Sequence, residues 1–188
     1  SRPGHPEDVV PVKEVRGRKI DSAFIGSCTN GRIEDLSQAA AILKGRKVAP
    51  GVVLKIVPST DRIWQQALSE GLISIFKKAG ALVGNSGCAG CAEGQIGQNG
   101  PGEVTVSTGN RNFAGKQGKG DVYLCSPATA AASAVAGEIT TADRIPEAPV
   151  MVPVFRKKEK PGREHLKEYT QKPTKIRGRV WVVNKDNV

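Results

Sequence analysis

The chain has 188 residues, with 38% apolar, 24% charged and only 4% aromatic residues, and its formal charge is +10. That length suits one domain of ordinary size with leftover segments. No apolar run reaches membrane-spanning length, and the opening Ser1-Arg-Pro-Gly-His has no apolar signal core, so the expectation is a soluble, cytoplasmic protein. Residues 146–188 hold 11 Lys/Arg against 5 Asp/Glu, which places over half of the positive excess in a tail that reads as a connector. A nucleic-acid surface would add stacking aromatics or a known module, and the sequence offers neither.

Residues 1–18 are polar, with mixed charge, and read as an incoming linker. From Lys19 the pattern turns regular. Short apolar runs at Ile20–Ile25, Val52–Val57, Ala81–Val83, Val104–Val106 and Val122–Cys125 suit strands buried on both faces of a parallel sheet. Between them, Ile33–Lys44 places Leu36, Ala39, Ala40 and Leu43 on one helical stripe, with Gly45 as the stop. Asp61 is the expected cap of a helix carrying Ile63, Trp64, Ala67 and Leu68; Gly71 interrupts it, and Leu72–Ala79 continues. Ser126-Pro127 predicts a capped helix start, and Gly137 closes that Ala-rich helix. The order β-α-β-α-β-loop-β-loop-β-α predicts an α/β domain over residues 19–145, a mostly parallel sheet flanked by helices in three α/β/α layers. Residues 146–174 are basic and proline-punctuated and read as a second linker. Residues 175–188 contain Ile176-Arg-Gly-Arg-Val-Trp-Val-Val183, the first strand of something further, so the chain is expected to be a piece of a longer one.

Four cysteines without a secretory signal favour metal or redox chemistry over disulfides. Cys28 follows the first predicted strand, and Cys88 and Cys91 follow the third. In an open parallel sheet, ligands bind beyond the carboxyl ends of the strands, where the order reverses, so these two Gly-rich loops are expected to meet. Incidental burial fits Cys125, which ends an apolar strand. For the other three, the readings are inert cysteines, a redox pair that leaves Cys28 unused, structural zinc recruiting Cys125, or an iron–sulfur cluster. Zinc wants four closed ligands, while His5 and His165 both fall in linkers. A cubane held by three thiolates keeps one iron open.

The segments Asp21-Ser-Ala-Phe-Ile-Gly-Ser-Cys-Thr-Asn-Gly31, Ser86-Gly-Cys-Ala-Gly-Cys91, Gly109-Asn-Arg-Asn-Phe-Ala-Gly115 and Ser126-Pro-Ala-Thr-Ala-Ala-Ala132 occur in the order seen in the aconitase family. That family includes aconitase, homoaconitase and the large subunit of 3-isopropylmalate dehydratase. The similarity covers roughly Lys19–Thr141 and resembles the third domain. It implies Cys28, Cys88 and Cys91 as the three ligands of a 4Fe-4S cluster with one open iron, and stereospecific dehydration and rehydration of a small hydroxy di- or tricarboxylate. Arg111 is implied as a carboxylate clamp, with Asn110 and Asn112 as further donors; Lys116 stands where the family has a second arginine. Asn30 is implied beside the cluster, and Ser126 reads first as a helix cap. The tail 175–188 resembles the opening of the family's swivelling domain, which implies a fused, aconitase-like parent: an aconitate hydratase of the tricarboxylic acid cycle first, and 3-isopropylmalate dehydratase or homoaconitase next. The catalytic base and the acids that assist leaving water belong to domains absent here, so the piece alone is expected to be inactive. An alternative is a non-catalytic iron- or oxygen-sensing, RNA-binding module built on the same cysteines.

Overall fold

The computed structural model describes residues 1–145; the connector at 146–174 and the strand expected within 175–188 lie outside the described residues. Strands β1 (Ser22–Gly26), β2 (Val53–Val57), β3 (Leu82–Val83), β4 (Val104–Ser107) and β5 (Asp121–Leu124) form one sheet in the order β3-β2-β1-β4-β5. Every pairing is parallel, with Phe24 opposite both Lys55 and Ser107. Four helices flank the sheet: α1 (Ile33–Leu43), α2 (Asp61–Ser69), α3 (Leu72–Ala79) and α4 (Pro127–Ala136). The fold is therefore the expected α/β arrangement.

Strand alternation divides the core. Ala23, Ile25, Leu54, Ile56, Val106 and Tyr123 join the helices in the main cluster. Phe24 and Val57 point the other way, against Ala89 and Ile96 of the segment after β3. Helix α4 is buried along nearly its whole length because its side chains are small, which lets it lie closely on α1 and β1. The layer over the opposite face contains the 3-10 turn Ala89–Cys91 and coil.

The helix ends follow the sequence signals with one exception. Ser126 Oγ accepts from Thr129 N at 3.2 Å, with Pro127 at the first helical position, and Gly137 closes α4 in the left-handed region. Gly71 breaks α2 from α3. The cap of α2, however, is Thr60 rather than Asp61, since Ile63 N donates to Thr60 Oγ1 at 3.3 Å and Asp61 is already helical. Residues 1–18 hydrogen-bond to the domain at Gly4 N to Asn112 O and Gly17 N to Ile139 O. Among the described residues, no helix is long and apolar enough to cross a membrane.

Candidate functional site

The chain lays β1, β2 and β3 outward in one direction, then returns to place β4 on the other side of β1. The loops after β1 and β4 thus leave from neighbouring strand ends at the point where the order reverses, a natural ligand crevice. Cys28 lies on the first loop, and Asn110, Arg111 and Lys116 on the second.

Cys88 and Cys91 start two strands away, after β3. Their segment doubles back across the sheet because Ala89 and Ile96 bury against Phe24 of β1. Polar contacts hold its course: Trp64 Nε1 donates to Gly84 O at 3.2 Å, Lys55 Nζ to Gln98 O at 2.8 Å, and Gln98 Nε2 to Gly90 O at 2.6 Å. Burial lowers the pKa of the Lys55 ammonium, partly offset by Glu103. Ala89, between the two cysteines, sits at φ 50°, a region non-glycine residues seldom enter. Its amide is secured by the Gln95 side chain at 2.9 Å.

The loop bearing Cys28 is equally constrained. A Cβ on Gly31 would lie 2.6 Å from both Ser27 O and Val57 O, so only glycine fits the packing of this turn on β2. Thr108, fully buried just past β4, accepts from Gly26 N at 3.0 Å and donates to Gly26 O at 2.9 Å. Asn30 Nδ2 donates to Thr108 O, tying the two loops together directly.

The four cysteines are free thiols; Cys28 and Cys88 are exposed, and Cys91 is half-buried. Burial is the largest influence raising the pKa of the Cys91 thiol, followed by Cys88; Lys116 acts against it, and Cys28 adds to the rise. The charges of Cys88, Cys28 and Lys116 are thus all felt at the Cys91 thiol. Asn110 Oδ1 faces the Cys91 sulfur at 3.9 Å, and Lys116 Nζ donates to Cys91 O at 3.2 Å. Lys116 and Cys91 also line a cavity of about 430 Å³ together with Glu93, Gln98 and Lys119. Arg111 is exposed on the same loop.

Asn112 differs from its expectation as a donor to substrate. It is buried, with Nδ2 spent on Arg2 O at 2.7 Å and Val122 O at 2.9 Å, so it braces the domain instead. Ser126 is a cap. The Cys125 thiol packs against the main core, and burial raises its pKa to about 12, the state of an inert structural thiol. Among the described residues, no three His, Cys, Asp or Glu side chains converge on a single-ion site. Lys119, Gln98 and Thr108 were absent from the sequence expectation; nothing local marks them, because their roles arise from the strand order.

The aconitase family (aconitate hydratase) model matches residues 6–137. A probable 3-isopropylmalate dehydratase large subunit from Methanothermobacter thermautotrophicus is 54% identical over 140 residues, covering 73% of this chain and 33% of that protein. The 3-isopropylmalate dehydratase large subunit of a Sulfurihydrogenibium species is 52% identical over 145 residues, covering 76% and 34%. The homoaconitase large subunit of Thermus thermophilus is 48% identical over 149 residues, covering 78% and 36%. The chain spans about a third of the length of these curated relatives. With the cysteine loops, the Asn-Arg-Asn loop and the family match falling on the same domain, the chain belongs to the aconitase family.

Proposed function

We propose that this chain is the cluster-bearing part of a hydro-lyase of the 3-isopropylmalate dehydratase or homoaconitase type, with Cys28, Cys88 and Cys91 holding a 4Fe-4S cluster. The observation that supports this reading is the meeting of the Cys91 loop with the Asn110–Lys116 loop, where Asn110 Oδ1 faces the free Cys91 sulfur at 3.9 Å and Lys116 Nζ donates to Cys91 O at 3.2 Å. The donor set fits the group: soft thiols suit iron–sulfur ligation. Ser86 Oγ, two residues before Cys88, is buried with no hydrogen-bond partner in the described structure. The names of the relatives favour these two enzymes over aconitate hydratase, the first expectation from sequence.

Bound here, the cluster would supply one Lewis-acidic iron to the substrate's hydroxyl. The chain's own residues bind and orient. Lys116 offers a localised positive charge at the mouth of the cavity, and Arg111 offers a planar fork suited to a carboxylate. Asn110 adds a polar edge next to Cys91. Asn30 and Thr108 keep the Cys28 loop and the Arg111 loop at fixed spacing, so the charges for substrate stay in register with the thiols. The proton-moving groups belong to other parts of the enzyme, including a small-subunit or swivelling-domain partner. The chain alone therefore turns over no substrate. Cluster-ligating thiols stay reduced in a reducing compartment, so we infer a cytoplasmic enzyme.

The test is to restore the chain to its complete large subunit, add the small subunit, and compare dehydration of 3-isopropylmalate with that of citrate. Preference for 3-isopropylmalate supports the reading. Preference for citrate returns the chain to aconitate hydratase, and turnover by the 188-residue chain alone contradicts the division of labour.

A further inference from the structure

We propose that Gln117 is a positioning residue that clamps the segment carrying Cys88 and Cys91 onto β4 and so sets those thiols against Lys116; this rests on reading both cysteines as ligands. Gln117 is 3% exposed, and its two ends bond in opposite directions. Oε1 accepts from Ser107 Oγ, the last residue of β4, at 2.8 Å. Nε2 donates to Gly97 O of the cysteine segment at 3.0 Å. Its backbone carbonyl accepts from Asn99 N at 2.9 Å. Gly90, between the two cysteines, lies so close that a Cβ there would come within 3.0 Å of Gln117 Nε2. The preceding residue, Lys116, reaches Cys91 O. One side chain thus joins the sheet to the cysteine segment, next in sequence to the cation that reaches Cys91 O.

The segment needs such a clamp. Apart from the turn Ala89–Cys91, residues 84–103 form no helix or strand, so side-chain bonds must fix their position. A buried amide that merely filled space would give a uniform loss of stability when altered. A positioning amide gives a local one.

The experiment is cysteine alkylation of the full chain, reduced and free of iron, with iodoacetamide, each cysteine being followed by peptide mass. In Q117E the Ser107 hydroxyl keeps its acceptor, while Gly97 O loses its donor and faces a carboxylate. The rate at Cys91 is expected to rise roughly five- to tenfold, the population shift expected from one lost internal hydrogen bond. Cys28 and Cys125 are expected to stay within about twofold of wild type on the same reasoning. Cys125 packs on the main core and reports any general loosening. S107A, which frees only the far end of Gln117, is expected to raise Cys91 less, and Q117M replaces Q117E if the carboxylate prevents folding. An unchanged rate at Cys91, or an equal rise at Cys125, overturns the proposal. Because no iron is present, failure of the cluster reading leaves this result untouched.

Discussion

Lys116 reaches back across the crevice to donate through Nζ to the backbone carbonyl of Cys91 at 3.2 Å. The proposed substrate cation and one proposed cluster ligand are therefore held by a direct bond. Losing the charge while keeping the length isolates its contribution. In the complete enzyme, K116M is expected to raise KM for the hydroxy acid by about 10- to 100-fold, the scale of a charged hydrogen bond, whereas K116R retains most of the affinity. Steady-state kinetics decide it; an unchanged KM in K116M removes Lys116 from the site.

Thr108 bonds both polar groups of Gly26, and both residues lie at the sheet edge from which the two loops depart. T108V keeps the shape and strands those groups. It is expected to cost about 1–3 kcal/mol in urea unfolding, the penalty of buried polar groups left unpaired. A cost near zero would mean that the bonds contribute nothing to the junction.

Gly31 has no room for a methyl group beside Ser27 O and Val57 O. G31A is expected to destabilise the chain by about 1–3 kcal/mol through overpacking and to raise the reactivity of Cys28, which lies in the displaced turn. Thermal unfolding and Cys28 alkylation check this. Wild-type values for both would show that the turn relaxes freely.

Cys125 gives a pH signature. Its folded pKa, raised to about 12 by burial, exceeds the ordinary thiol value, so the native state keeps its proton after the unfolded chain has lost it. Its contribution is full below about pH 8.5 and is lost as pH rises toward 12, at up to about 1.4 kcal/mol per unit. Urea unfolding of wild type and C125A between neutral and alkaline pH should show the steeper decline in wild type. Parallel curves would contradict burial of this thiol.

Much of the architecture is legible in the sequence because its punctuation is local. Gly71, Ser126-Pro127 and Gly137 act where they stand. Thr60 displaces Asp61 as a cap by one position, within the reach of two similar side-chain oxygens. The cysteines announce themselves by type and spacing. Asn112, Thr108 and Gln117 do not, since their partners at Val122 of β5, Gly26 of β1 and Gly97 of the cysteine segment meet them only in the folded domain. Asn112, read beside Arg111 in sequence, is buried by its bonds to Arg2 O and Val122 O, while Arg111 is exposed.

The most direct measurement is iron and sulfide analysis of the chain after anaerobic reconstitution, with its visible absorption, in wild type and in C28A, C88A, C91A and C125A. About four irons and four sulfides per chain, a brown colour, full retention in C125A and loss in each of the other three variants are the expected results. Iron uptake indifferent to C28A, or one tightly held zinc that depends on Cys125, would contradict a cluster gripped by these three thiols.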